Sequence, residues 1–351
     1  MKALYWIISA AVTVAGLGFM GAGAANMSKE KGEDITKTFT DTKDIQISLG
    51  DTRLTIVPDE KAEAVTVDLH NVKKGTTVDQ QNGKLIIQQK NNTHIQFFQT
   101  EKQESTATIT VPAGIELGEL ALDLGSADNS SVSGLTMQQY SLDLGSGSLT
   151  FTGCEIAQNA VVDIGSGKYT MEQITVGGNT EFRGGSGKIA LTDIQTKDFQ
   201  YQGGSGSLEL RQLDAAGRFA MEVASGSVSG NDVTVGGVTN LELASGIWNI
   251  AHFTPGSETM VKVASGNFMM GLTGAQEDYS FNSKNASGIT VIGEQSGKGL
   301  IMSGGDKHIT SEGASGRIEF YFGDEPKTIQ GGADFDDEDL DLDDIDVDID
   351  D

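Results

Sequence analysis

A three-residue tag of the form small-Ser-small returns along this chain with its serine at positions 126, 146, 166, 186, 205, 225, 245, 265, 287 and 315. The first seven intervals are 20, 20, 20, 19, 20, 20 and 20 residues. Self-similarity at such a period marks a repeat architecture, in which each unit contacts chiefly its neighbours. The last two intervals, 22 and 28 residues, fit loops inserted at coil corners.

Around each tag the side chains alternate. Leu122 and Leu124, Leu142 and Leu144, Val162 and Ile164, Leu241 and Leu243, and Val261 and Val263 flank a polar residue before it. Apolar residues return three and five positions past the serine, as Leu149 and Phe151, Tyr169 and Met171, Trp248 and Ile250. A period of two means strand, with one face turned inward. A third apolar slot lies eight positions past the serine and holds Ile174, Ile194, Leu213, Val233 and Phe253. Cys154 falls in the same slot, so the single cysteine reads as a small core hydrophobe and no intrachain disulfide can form.

One such coil cannot bury its apolar face alone, but stacked coils share a continuous core. The expected fold is all-β: a parallel β-helix-like solenoid of single-stranded coils, each about 20 residues long. The tag serines Ser126, Ser146, Ser166, Ser186, Ser205, Ser225, Ser245 and Ser265 mark its corner, where stacked hydroxyls could bond along the column. The first tag slot passes from Gly125, Gly145, Gly165, Gly185 and Gly204 to Ala224, Ala244 and Ala264, so it requires smallness. The third slot is glycine except at Ala127, which points to a requirement for positive φ.

The flanks divide the rest. Lys2 precedes 23 uncharged residues, Ala3 to Ala25, enough to span a bilayer core of about 30 Å as a helix. Ala22-Gly23-Ala24 also resembles a signal-peptidase site. Residues 1–26 are therefore a signal anchor or a signal peptide, and both readings place the remainder outside the cytoplasm. The chain is then a single-pass cell-membrane protein with an extracytoplasmic domain, or a secreted one. Residues 27–44 read as a polar linker, 45–112 as irregular β coils capping the solenoid's N-terminal edge, and 113–323 as the regular repeats. Residues 324–351 form an acidic tail with the composition of a disordered segment, holding 12 acidic and no basic residues from Asp334 onward.

Net charge is −26, which disfavours nucleic acid as a partner. No catalytic, cofactor-binding or metal-binding constellation stands out. Gly-Ser-Gly-Lys at 165–168 and 185–188 lacks the spacing of a phosphate-binding loop and recurs as a corner. His70, His94, His252 and His308 share no repeat slot. Asp123, Asp143 and Asp163 occupy one outward slot on consecutive coils, followed by Arg183. Stacked carboxylates about 5 Å apart repel one another unless a cation relieves them, so this column could hold one weakly.

The exported N-terminal segment, the opening strands Ile45–Val57, the step Thr108-Ile109-Thr110-Val111-Pro112 and the Leu-x-Leu-Gly-Ser-Gly coils together resemble bacterial putative-adhesin proteins, a domain-of-unknown-function family of β-strand repeats. The resemblance covers about residues 40–323 and implies an envelope-facing β-helix-like domain; that family carries no established catalytic residues. Three functions follow as expectations. The first is a non-catalytic adhesin or scaffold binding an envelope polymer or protein. The second is a membrane-anchored regulatory partner in envelope-stress signalling. The third and weakest is a polysaccharide-cleaving β-helix.

Overall fold

The protein is described here by a computed structural model that covers residues 32–89 and 104–323. Those residues form 27 strands and a single helical turn, Gln276–Asp278. The chain is all-β, as the alternation requires. The N-terminal segment 1–26, His94 and the acidic tail lie outside the described residues, and no described helix is long and apolar enough to cross a membrane.

Strand pairing follows the repeat. Thr136–Leu144 pairs in parallel with Glu116–Leu124 on one side and with Glu155–Ile164 on the other. Past the tag, Ser148–Thr152 lies between Ser130–Ser133 and the opening of Lys168–Gly184. Each residue therefore stacks on its counterpart one coil away, at the parallel-strand spacing of about 4.8 Å. The buried face is continuous from Ile45 to Phe320. Within it Tyr169, Phe182, Phe199, Phe219 and Phe253 form a run of neighbouring rings with centroids 5.2–6.2 Å apart. Each such contact adds about 0.5–1.5 kcal/mol beyond area burial.

Each regular coil bends three times. One bend is the tag. Another lies seven positions past the serine, where Gly153, Gln173, Asp193, Gln212, Asp232 and His252 all have φ between 50° and 62°. A third shows as a register shift between Val176 and Asn179. The bend past the serine explains the apolar spacing. In an extended strand, positions five and eight past the serine would face opposite sides; the left-handed residue between them turns both inward.

The tag glycines have another role than the one expected. None of the third-slot glycines has positive φ. A Cβ there would instead strike the carbonyl oxygen of the coil beneath, at 2.2 Å for Gly147, 2.4 Å for Gly167 and 2.0 Å for Gly246. Close coil-to-coil approach, not a left-handed backbone, demands glycine in this slot.

Both ends depart from chain order. At the N-terminal end, the first coil in sequence, Asp44–Leu49 with Arg53–Asp59, is not outermost. Lys84–Gln88 and Thr106–Pro112 pair on its outer side, in parallel. Those in turn are covered by antiparallel strands, Thr77–Gln81 on the former and Val65–Val72 on the latter. Glu33–Phe39 pairs antiparallel with Val65–Val72. Part of the segment read as a linker is thus a strand, because Ile35 and Phe39 pack against the core.

The C-terminal end repeats the device. The last coil, Lys307–Gly313 with Arg317–Phe322, inserts between Glu258–Val263 with Asn267–Leu272 and Tyr279–Asn285 with Ile289–Ile292. The stacking order of the tags is therefore 265, 315, 287. The 28-residue interval is no simple corner loop. It carries Gln295–Gly297 and Gly299–Met302, which cover the outermost coil antiparallel.

Candidate functional site

The tag corner is the most regular feature of the surface. Its main-chain amides donate to the preceding coil, as Gly145 N to Leu124 O at 2.8 Å and Ser146 N to Gly125 O at 2.8 Å. At the N-terminal end, Gly50 N donates to Gln89 Oε1 at 2.7 Å, so a buried side chain supplies the acceptor that a further coil would provide. The amides of the first and second tag positions thus find acceptors on the neighbouring coil, as buried polar groups require.

The tag serines Ser126, Ser146, Ser166, Ser186, Ser205, Ser225, Ser245 and Ser265 are all exposed. Their expected hydroxyl ladder forms at one step, Ser186 Oγ to Ser205 Oγ at 3.1 Å. Ser245 and Ser265 instead donate to the carbonyls of Ala224 and Ala244 at 3.4 Å. The hydroxyl column faces outward more than along itself.

A groove runs on each side of this corner. The first, of about 680 Å³, is lined by Ser146, Ser166, Lys168, Ser186, Lys188 and Ser205 with neighbouring glycines and serines. The second, of about 920 Å³, runs past Arg183, Gln202, Glu222, Glu242, Lys262 and Glu312. Both are shallow troughs crossing several coils.

The outward slot before the tag brings Asp123, Asp143 and Asp163 into register, with Arg183 next. The column is bounded at both ends. Ser48 Oγ donates to Asp123 Oδ2 at 2.8 Å, and Arg183 Nη1 lies 3.3 Å from Asp163 Oδ2. Asp143, in the middle, has no such relief. Partial burial first, then the charges of Asp123 and Asp163, push its carboxyl above the ordinary value. Among the described residues no group of three or more His, Cys, Asp or Glu is placed to hold a metal ion.

Cys154 is 1 % exposed, and burial pushes its thiol up to about 11. It accepts from Leu135 N at 3.4 Å and donates to Thr152 O at 3.3 Å, which makes it a core residue. His70 and His308 are exposed on different strands, and His252 Nδ1 lies 3.2 Å from Asp232 Oδ1. The two Gly-Ser-Gly-Lys strings stack as consecutive corners, with Lys168 opposite Lys188. Reading the two strings separately hides that pairing; the 20-residue offset between them reveals it.

The Toastrack domain of unknown function, DUF4097, matches this chain twice, over residues 42–177 and 161–298. The protein belongs to that family. Among solved structures, a putative lipid binding protein from Parabacteroides distasonis is 15 % identical, with a TM-score of 0.43 over 84 % of this chain and 98 % of that one. A putative adhesin from Parabacteroides merdae is 12 % identical, with a TM-score of 0.41 over 84 % of this chain and 97 % of that one. Among curated proteins, none matches.

Proposed function

We propose that this protein is a non-catalytic binding module displayed outside the cytoplasm, where it engages a repeating polymer or a protein of the cell envelope. The observation that carries this reading is the exposed tag corner with its flanking troughs. Chemically similar groups recur there coil after coil, at about 4.8 Å, over most of the solenoid's length. Such a surface suits a ligand that also repeats, because weak identical contacts add up when they are linked. A catalytic site, by contrast, needs one place where unlike groups converge. The N-terminal apolar segment fits this role by carrying the domain across the membrane, retained as an anchor or cleaved. That two of the solved structures noted above were named for adhesion and for lipid binding accords with a binding role.

The test is cosedimentation of the purified full-length chain with isolated bacterial cell walls, with and without calcium. Saturable binding supports the reading. No binding in either condition overturns the wall-polymer form of the reading.

A further inference from the structure

We propose that the trough lined by Ser146, Ser166, Lys168, Ser186, Lys188 and Ser205 is a subsite for a hydroxyl-rich linear glycan bearing spaced carboxylates. The strand lies along the solenoid axis, with one carboxylate seated on the Lys168–Lys188 pair. This deepens the binding function above and rests on it.

Three observations carry the assignment. First, Lys168 and Lys188 are direct register partners on adjacent parallel strands. Like charges one coil apart repel. By contrast, Arg183 is paired with Asp163 at 3.3 Å and Lys262 with Glu242 at 2.8 Å, each with an acid one coil away. Among the described residues no carboxylate lies within ion-pair distance of Lys168 or Lys188. In a chain of net charge −26, with acids outnumbering bases 50 to 24, a stacked and uncompensated pair of lysines is a place where an external anion lowers the energy.

Second, apart from Asp128 and Asn129 at one end, the rest of the trough is hydroxyl and main chain. Ser146, Ser148, Ser166, Ser186, Ser205, Ser207 and Ser227 line it. Apart from Ser148, which accepts from Asn129 N, and the mutual Ser186–Ser205 bond, their hydroxyls make no side-chain hydrogen bond within the described protein. Serine hydroxyls both donate and accept, as sugar hydroxyls do, so the two surfaces complement each other without further charge.

Third, the shape fits a chain laid lengthwise. The trough crosses six coils, from Asp128 to Ser227, about 24 Å at the parallel-strand spacing. Its glycines keep the floor low, since no side chain rises between the serine columns.

The charge pattern selects the polymer. A carboxylate between two ammonium groups makes charge-assisted hydrogen bonds to both. A dense polyanion would set further charges against Asp128 at one end of the trough and against the acidic body. Sparse carboxylates among hydroxyls avoid that repulsion. Each unit binds weakly, and affinity comes from the number of units engaged.

The experiment uses the purified full-length chain and three soluble probes in calorimetric titration. Hyaluronate carries carboxylates on alternate sugars, dextran is neutral, and polyphosphate has charge without sugar hydroxyls. The expected order is hyaluronate first, with dextran and polyphosphate much weaker. Lys168→Gln with Lys188→Gln should weaken hyaluronate about tenfold or more, as loss of two charge-assisted bonds implies, while leaving the circular dichroism spectrum unchanged. Ser166→Ala with Ser205→Ala should weaken it separately. Equal binding of polyphosphate overturns the glycan assignment, because charge alone then suffices. Failure to bind hyaluronate, or indifference to the lysine substitutions, overturns the subsite. Wall binding that persists in the lysine variant, with no hyaluronate binding, removes this trough and leaves the broader function standing. Absence of wall binding by the unaltered chain strikes that function instead.

Discussion

At the scale of single residues, Asp143 shows how stacking creates an electrostatic cost that a lone side chain would not meet. Its carboxyl is raised by partial burial and by Asp123 and Asp163 in the adjacent coils, with Arg183 relieving Asp163 and Ser48 relieving Asp123. A raised carboxyl holds its proton more readily folded than unfolded. Its ionised form therefore destabilises the native state at neutral pH, and that penalty disappears as pH falls through the folded value. Asp143→Asn should raise the thermal midpoint near pH 7 and leave it unchanged near pH 3, where the aspartate is already neutral. Added salt should shrink the gain at pH 7, since the column is solvent-facing. An equal gain at both pH values would mean that packing, not charge, separates the variants. The slot was visible in the sequence as three aspartates at a 20-residue offset. Their unequal relief was not, because Ser48 lies 75 positions away from Asp123 and reaches it only through the stack.

At the scale of the structural element, the tag is a corner whose composition is set by the coil below it. Hypothetical Cβ atoms on the third-slot residues fall 2.0–2.5 Å from the underlying carbonyl oxygen at Gly147, Gly167, Gly246 and Gly266. In the first slot the contact is 2.4 Å at Gly125 and 2.6 Å at Gly185 but loosens to 2.8 Å at Gly145 and 2.9 Å at Gly165, and alanine occupies that slot from Ala224 onward. Gly246→Ala should therefore cost about 1–3 kcal/mol, the range for overpacking, and Gly145→Ala distinctly less. Chemical denaturation of the two variants tests the order, and a reversed order would refute the steric account. The exception, Ala127, belongs to the tag whose Gly125 and Ser126 amides bond to Leu49 and Gly50 of the first coil rather than to another tag. Periodicity alone marked where this tag recurs. It did not say why glycine was needed, since positive φ and close approach leave the same residue in the sequence. The bend seven positions past the serine carried a subtler sign: an apolar spacing of three between slots that otherwise alternate by two. Gln173, Asp193, Gln212, Asp232 and His252 hold its left-handed geometry without glycine, so composition gave no cue.

At the scale of the whole molecule, the two ends answer the problem every open sheet faces. An exposed strand edge is a template for another chain. Here the outermost coil at each end is a parallel one covered by antiparallel strands, and in each case it is not the coil that chain order would put there. Disrupting the C-terminal cover with Ser296→Pro and Leu300→Pro removes amides from both short strands and should expose the edges of Tyr279–Asn285 and Ile289–Ile292. Concentration-dependent association, absent from the unaltered chain under the same conditions, is the expected result in sedimentation velocity. Unchanged mass across the concentration range would show that these strands do not guard the end. The sequence by itself determined the all-β class, the coil length, the inward columns and the exposed serine corner, because each follows from a local period that one chain segment expresses alone. Only the tertiary structure decided which coil is last, which glycine is sterically required, which aspartate lacks relief and that no carboxylate of the described residues reaches the two stacked lysines. Those properties belong to pairs of residues brought together by stacking, and the energy of a pair is not written in either member.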